Sequence, residues 1–491
     1  MLLGLDLGTG SVKALLISSQ GEILGQGTEP YGVGSPQPGW AESDPEEWWN
    51  STLRAARTAI GEHGDSVQGI GLSGQMHGVI LCEANGNPLR NAILWADARS
   101  GEQLSAYRNL DEDLVRDLAN PITTGMAGPT LLWLRDHESE VYQAARWALQ
   151  PKDWLRLRLT GEVLAEPSDA SATLLYSLPK DGWAFDVVEA LGLRSSLLPD
   201  LVSSGGAAGE VTREAAEALG VRAGITVAAG AGDTAAAMLG SGLLSAAQAQ
   251  LTVGTGGQIV VLQDKVSTDL EGRTHLYRTA YPANSGGTAP WYSMAAIQNA
   301  GLALEWVRSV LGVSWEDVYE EAFSVPPGAE GVTFTPYLSG ERTPHFDPNA
   351  RGAWTGLGLG HDRRHLLRAA LEGVAFAFRE GLEALKDAGN DVHKLRIAGG
   401  GSTDDQWRQM LSNVLRRPLE ILPNEIASVA SARGAALLAG AACGIYDSVE
   451  EAAPTVKSTG TVEPDGDSDQ YDEPFDSYKK IYPELYPRLG L

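Results

Sequence analysis

The hexapeptide LDLGTG, Leu5–Gly10, recurs as LTVGTG, Leu251–Gly256. Apolar alternation running into Gly-Thr-Gly predicts a strand that turns back on a glycine tip, and a second copy predicts a second unit built the same way. The flanking segments agree: VKALLIS (12–18) and EILGQGT (22–28) supply further strands across the turn SQGE, and QIVVLQ (258–263) follows the second tip. Each half of the chain therefore opens on a glycine-tipped hairpin. The copies differ at two positions, Asp6 and Leu7 in one against Thr252 and Val253 in the other, so only the first carries a carboxylate.

Beyond each opening the periodicity changes from strand to helix. DPEEWWNSTLRAARTAIGEH (44–63) predicts a helix capped by Ser43 or Asp44, followed by the strand QGIGLSGQ (68–75) and the segment NAILWADAR (91–99). In the second half a long helix is expected from Asp362 to a stop at Gly389, then a strand, glycine turn and helix in KLRIAGGGSTDDQWRQMLSNVL (394–415). ASVASARGAALLAGAACG (427–444) predicts an Ala-rich helix with little room for large neighbours. Alternation of this kind argues mixed α/β architecture with helices covering sheets. The boundary is placed near residue 243, giving lobes 1–243 and 244–491 with a cleft between them.

The charge balance narrows the partners. With 37 basic against 63 acidic residues the net charge is −26, which argues against a passive nucleic-acid or anionic-membrane surface. Phosphate must then be held by local dipoles or a metal. Part of the acidity lies in EPDGDSDQYDEP (463–474), expected as a solvated loop, although a high-salt host would also account for it. Cys82 and Cys443 fit neither a disulfide framework nor a CxxC metal site, so a reducing cytoplasm is expected. The apolar start lacks a basic leader and is interrupted by Asp6 and glycines, and no run approaches the roughly 18–20 apolar residues that span a bilayer.

Gly8, Thr9 and Gly10, and again Gly254, Thr255 and Gly256, form tips at which backbone N–H groups approach an anion unobstructed. A single such tip needs no function, since tight turns require glycine; a pair, one per lobe, predicts a grip on polyphosphate from two sides. Asp6 beside the first tip would be repelled by phosphate unless a cation intervened, which predicts Mg²⁺. In VAAGAGDTAAAML (227–239) Asp233 opens a helix, where it serves either as a cap or as an acceptor for a hydroxyl proton. RIAGGGSTDDQW (396–407) repeats the strand–glycine–helix device and would let a nucleoside approach. LSGQMHG (72–78) offers an amide, a thioether and an imidazole together, suited to a small polyhydroxylated ligand or to packing.

With these phrases in order, the chain resembles the FGGY carbohydrate kinase family over nearly its whole length. The resemblance runs through PGWAESDPEEWW, GLSGQMHGVIL, AILWADAR, TGMAGPTLLWL, QPKDWLRLRLTGE, GAGDTAAAMLGSG, PYLSGERTPHFDP, LEGVAFAFREGL and AGGGSTDDQWRQML. SGQMHG resembles the xylulose-specific members rather than the glycerol kinases. The resemblance implies two actin-like, ribonuclease H-like lobes and ATP-dependent phosphorylation of D-xylulose at O5, in a cytoplasmic enzyme using Mg²⁺. It implies sugar contacts from Gln75, Met76, His77, Asp233 and Thr234, with Asp233 as catalytic base and Asp6 as the metal-associated carboxylate. Thr9 and Thr255 with their glycines match the phosphate loops, and Gly400, Gly401 and Asp405 fall on the adenosine side. Thr234 stands where xylulose-specific members often have Asn, and ASVASARGAALLAG replaces a more usual Gly-rich, acidic approach to its helix. A different ketose or a polyol is the alternative acceptor, and a non-catalytic actin-like ATPase is the rival from another class. Ketose and ATP are the expected partners, with no nucleic acid or membrane, and a homodimer is an assembly the sequence allows.

Overall fold

Both glycine-tipped hairpins form. In the computed structural model, which describes residues 1–269, 271–282 and 288–486, β1 (Leu2–Leu7) pairs antiparallel with β2 (Ser11–Ile17), which continues into β3 (Ile23–Pro30). Helix α1 (Pro45–Ile60) follows, with the Asp44 carboxylate accepting from Glu46 N at 2.9 Å as its cap. Strand β4 (Gly69–Gly74) then lies parallel to β1. After helix α2 (Pro151–Thr160), strands β5 (Ala207–Glu210) and β6 (Thr226–Ala228) complete one edge, giving the order β5–β6–β4–β1–β2–β3. The short strand Ala231–Gly232 pairs with the end of β4 and leads directly into helix α3 (Asp233–Gly240).

The second half repeats the plan. Strands β7 (Ala249–Val253), β8 (Gly257–Gln263), β9 (His275–Arg278) and β10 (Trp291–Ile297) are followed by helix α4 (Gly301–Leu311). The long helix α5 (Arg363–Asp387), capped by Asp362, leads to β11 (Leu395–Ala398), helix α6 (Asp405–Leu415) and β12 (Leu419–Ile421). Helix α7 (Ala430–Ala442), strand β13 (Gly460–Val462) and helix α8 (Asp472–Leu485) end the described chain. The second sheet runs β9–β10–β8–β7–β11–β12–β13, with the parallel neighbour β11 beside β7 as β4 lies beside β1.

Helix α7 belongs by sequence to the second half but packs on the first sheet. Glycines make this approach possible: a Cβ on Gly4 would collide with the Ala432 carbonyl oxygen, one on Gly71 with that of Ala435, and one on Gly434 with that of Ala236 in α3. The small packing face expected from the composition is thus used for backbone-to-backbone contact. The helix is shorter than expected, since Asn424–Ala427 forms a separate turn and α7 starts only at Ala430. Ser428 and Val429 between them line the interlobe cleft, and the Ser428 carbonyl accepts from Lys13 Nζ at 3.1 Å. Of NAILWADAR, only Ala92–Ile93 pairs as strand.

The acidic stretch 463–474 faces solvent as expected, with most of its carboxylates exposed, but it is tied down rather than a free loop. Ser468 and Tyr471 are buried, Asp465 accepts from Asn413 Nδ2 at 2.8 Å, and Arg416 Nη2 bridges Asp469 and Asp472 at 2.7 and 2.6 Å. These partners lie about fifty residues upstream, so local composition concealed them. No helix among the described residues is long and apolar enough to cross a membrane, and both cysteines are free thiols.

Candidate active site

The first tip leaves two donors open. Gly8 N bonds back to Ser11 O at 3.0 Å, while the N–H groups of Thr9 and Gly10 make no hydrogen bond among the described residues. The second tip does the same: Gly254 N bonds to Gly256 O at 2.9 Å, and Thr255 and Gly256 N–H remain open. Its carbonyls turn away, since Gly254 O and Thr255 O accept from Gly301 N and Leu302 N at the start of α4, at 2.9 and 2.8 Å. Thr9 Oγ1 is fixed by Trp95 Nε1 at 2.9 Å, and Tyr31 Oη donates to Gly8 O.

A cleft of about 270 Å³ opens between the lobes. Asp6, Gly8, Lys13, Asp233 and Thr234 line it from the first sheet and α3, and Thr252, Gln258, Ala398 and Gly399 from the second. The bases of both hairpins and both candidate carboxylates therefore face one space. Asp6 Oδ1 accepts from Ser73 Oγ at 2.6 Å, and its other oxygen makes no hydrogen bond among the described residues. Burial raises its pKa, against the Ser73 hydrogen bond and the Lys13 charge, which lower it. Lys13 stands directly across the hairpin register from Asp6.

Asp233 is the first residue of α3, and Gly232 is the cap, so the carboxylate does not serve as a conventional helix cap. Its Oδ1 accepts from Thr234 N and Oγ1 at 2.6 and 3.2 Å. Burial, then the charge of Asp6, push its pKa up to about 7. Beneath it the Glu166 carboxylate accepts from Ser168 N, Ser168 Oγ and Ser204 Oγ at 2.8, 2.9 and 2.7 Å, and Ser168 Oγ accepts from Gly232 N at 2.9 Å. Lys152, fully buried, pairs with Glu166 and Asp169 at 3.2 and 3.1 Å and with Asp153 at 2.7 Å, and burial raises the Asp169 carboxyl well above its ordinary pKa. This buried network holds the strand-to-helix corner that presents Asp233.

Met76 and His77 lie on the other side of that corner. Met76 packs on Gly232 so closely that a Cβ there would come within 2.9 Å of its Cγ, and Tyr292 Oη reaches Met76 Sδ at 3.8 Å. His77 has φ 72°, a left-handed backbone uncommon for a non-glycine residue. Its Nδ1 lies 2.7 Å from Ala172 O, and since a carbonyl only accepts, Nδ1 carries the proton and Nε2 remains an acceptor. Burial, and less so the charge of Arg342, push its pKa down to about 4, so the ring is neutral. Gln75 Nε2 donates to Gly8 O at 3.5 Å, and its buried Oε1 has no partner among the described residues.

On the far wall, Gly399 has φ 99° and sits against Val253 where no Cβ would fit, so the glycine turn seats on the root of the second hairpin. Gly400 and Gly401 continue that turn, and a Cβ on Gly400 would meet open space. Asp405 does not join them: its side chain is 94% exposed and pairs with Arg408 at 3.0 Å, while Asp404 caps α6. Sequence reasoning singled out neither Trp95, Ser73 and Lys13 nor Tyr277, Tyr292 and Arg342, all of which border the site. The signal for Lys13 was present in the hairpin count; the others depend on tertiary placement.

The chain is similar to known proteins over its whole length. The model of the FGGY family of carbohydrate kinases, N-terminal domain, matches residues 1–240, and that of the C-terminal domain matches 249–443. A xylulose kinase of Escherichia coli (strain K12) is 34% identical, covering 100% of both chains. A glycerol kinase of Alkalilimnicola ehrlichii is also 34% identical, over 90% of each chain. Among solved structures, a xyloylose kinase from Brucella ovis superposes with a TM-score of 0.90 at 34% identity, covering 99% of each chain.

Proposed function

The chain belongs to the FGGY family of carbohydrate kinases, and from that premise we propose that it transfers the γ-phosphoryl group of ATP to O5 of D-xylulose. The observation that carries this reading is the placement of Asp233. Its carboxylate opens on the cleft lined by both hairpin roots, while its own backbone corner touches Met76 of the SGQMHG phrase. A ketose lying against Gln75, Met76 and His77 would reach Asp233 with its terminal hydroxyl.

A hydroxyl is a poor nucleophile at neutral pH, so Asp233 accepts its proton as the new P–O bond forms. A pKa near 7 suits a base that must take a proton and release it again. Charge developing on the phosphoryl oxygens is met by the open N–H groups of Thr9, Gly10, Thr255 and Gly256. ATP lies against the second lobe, its nucleoside toward the glycine turn 399–401. Neutral His77 offers Nε2 as an acceptor to a sugar hydroxyl, and Gln75 Oε1 offers another. Closure of the lobes excludes water, whose attack would hydrolyse ATP without product.

The residues fit Mg²⁺. Asp6 and Asp233 face one small cavity in which the nearby cation is Lys13, and one Asp6 oxygen is open. No group of three or more metal-ligating side chains occurs among the described residues, so Asp6 would hold the ion together with water and phosphate oxygens. When bound, the ion supplies charge neutralisation on the polyphosphate. We place the lobe boundary near residue 243 and the enzyme's work in the cytoplasm.

The test is ADP release with D-xylulose against D-ribulose, L-ribulose and glycerol. Preference for D-xylulose supports the assignment; preference for glycerol overturns it. Sugar-independent ATP hydrolysis accompanied by filament assembly would instead favour an actin-like ATPase.

A further inference from the structure

Arg342 reaches across from the second lobe toward the first. Its guanidinium makes no hydrogen bond and no ion pair among the described residues, and lies 4.9 Å over the ring of Trp95 in the first lobe. Trp95 in turn holds Thr9. The Arg342 backbone is fixed rigidly. Glu341 Oε1 accepts from Gln298 N and Arg342 N at 2.6 and 2.8 Å, and Thr343 exchanges hydrogen bonds with Ala296 of β10 at 2.9 and 3.1 Å.

The surrounding side chains form a row. Tyr292 touches Met76 and lies within the field of Asp233, Tyr277 is 5.6 Å from Tyr292, and His77 and His275 are 5.9 and 5.4 Å from Tyr277. The charge of Arg342 acts on His77, His275 and Tyr277. Met76 lies against the Gly232 corner that presents Asp233, and His77 lies beside Tyr277, toward Arg342. A five-carbon acceptor whose O5 is at Asp233 directs its C1–C2 end toward Arg342.

Chemistry then selects the atom. A guanidinium donates and never accepts, and the carbonyl oxygen is the one atom of an open-chain ketose that accepts and never donates. We propose that Arg342 is the specificity-determining residue that binds the ketose carbonyl and so sets the orientation that leaves O5 at Asp233. The inference rests on the ketose kinase reading above. It also makes the sugar a bridge, held by His77 from one lobe and by Arg342 from the other.

The test compares D-xylulose with xylitol and D-arabinitol, the pentitols in which that carbonyl is a hydroxyl. Arg342→Met keeps an unbranched stem but removes the guanidinium that lies over Trp95, and Arg342→Lys keeps the charge. For Arg342→Met, kcat/KM for D-xylulose should fall about 10- to 100-fold, the loss of one charged hydrogen bond. Pentitols, read as substrates or as competitive inhibitors, should change less than about threefold on the same grounds, with Arg342→Lys intermediate for the ketose. Unchanged melting temperature and ADP affinity show that the variants fold. Equal losses for ketose and pentitol, or an unaltered ketose value, would overturn the role of Arg342 while leaving wild-type ketose kinase activity in place. A wild-type enzyme inactive on every ketose would overturn the underlying reading instead.

Discussion

Asp6 raises the proton affinity of Asp233: the two carboxylates line one interlobe cavity, and the charge on the first strand opposes ionisation at the first residue of helix α3. A base and a charge-bearing neighbour are thereby coupled without sharing an element.

The coupling has a pH signature. Asp233 must be ionised to accept a proton, and its pKa stands near 7, so kcat/KM should fall as pH drops through about 7. Asp6→Asn removes the neighbouring charge and should move that acidic limb to lower pH, while lowering activity and altering the Mg²⁺ titration. A limb that stays in place on residual activity would show that the two groups are not coupled; an unchanged Mg²⁺ curve would refute the metal role of Asp6.

Replacing the base separates chemistry from stability. Asp233→Asn should cost about 10²- to 10⁴-fold in turnover. The folded pKa is raised from 3.8 to about 7, so ionising Asp233 destabilises the fold progressively from pH 4 to 7 and fully above 7. The amide removes that penalty. In the absence of ligands its melting temperature should rise by about 4–9 °C at pH 8 and not at pH 4; an equal change at both values would contradict the assignment.

Two kinds of glycine should respond oppositely to alanine. At Gly71 the methyl meets the Ala435 carbonyl of α7, so Gly71→Ala should cost about 1–3 kcal/mol or more in thermal or urea unfolding. At Gly10 a Cβ meets nothing within 4 Å, so Gly10→Ala should leave stability unchanged but raise KM for ATP. A destabilised Gly10 variant with normal kinetics would reverse the distinction.

Trp95→Phe keeps a ring beneath Arg342 and deletes the 2.9 Å bond to Thr9. Loss of one neutral hydrogen bond at the tip predicts about a 2- to 10-fold fall in kcat/KM for ATP. Steady-state kinetics at saturating sugar measure it directly, and an unaltered value would mean that Thr9 needs no such support.

The hairpins were legible because their signals are local: alternation of period two running into glycine sets strand, tip and register together. From that register the pairing of Lys13 with Asp6 could be counted directly. Asp233 was legible as a carboxylate at a glycine corner, but its raised pKa comes from burial and from Asp6, and the corner itself is held by Ser168 on Gly232; burial, Asp6 and Ser168 all reach it through the tertiary fold. The acidic stretch was legible as solvent-facing, but its ties to Asn413 and Arg416 were not, because those partners are remote in sequence; Asp405 stands exposed beside Asp404, which takes the cap. Arg342 and Trp95 lie in the phrases PYLSGERTPHFDP and AILWADAR, but nothing in either phrase pairs them; only the meeting of the two lobes makes them neighbours.

Helix α7 has a consequence for the order of synthesis. The first sheet leaves the ribosome long before residues 430–442, yet Gly4 and Gly71 are shaped to receive that helix. Until it arrives, the nascent first lobe presents an uncovered, glycine-floored face. A fragment ending at residue 243 should therefore be aggregation-prone alone and rescued when 244–491 is co-expressed, whereas an intact, soluble fragment would show that the lobe closes without it. The final assembly of the amino-terminal sheet is timed by the carboxy-terminal part of the message.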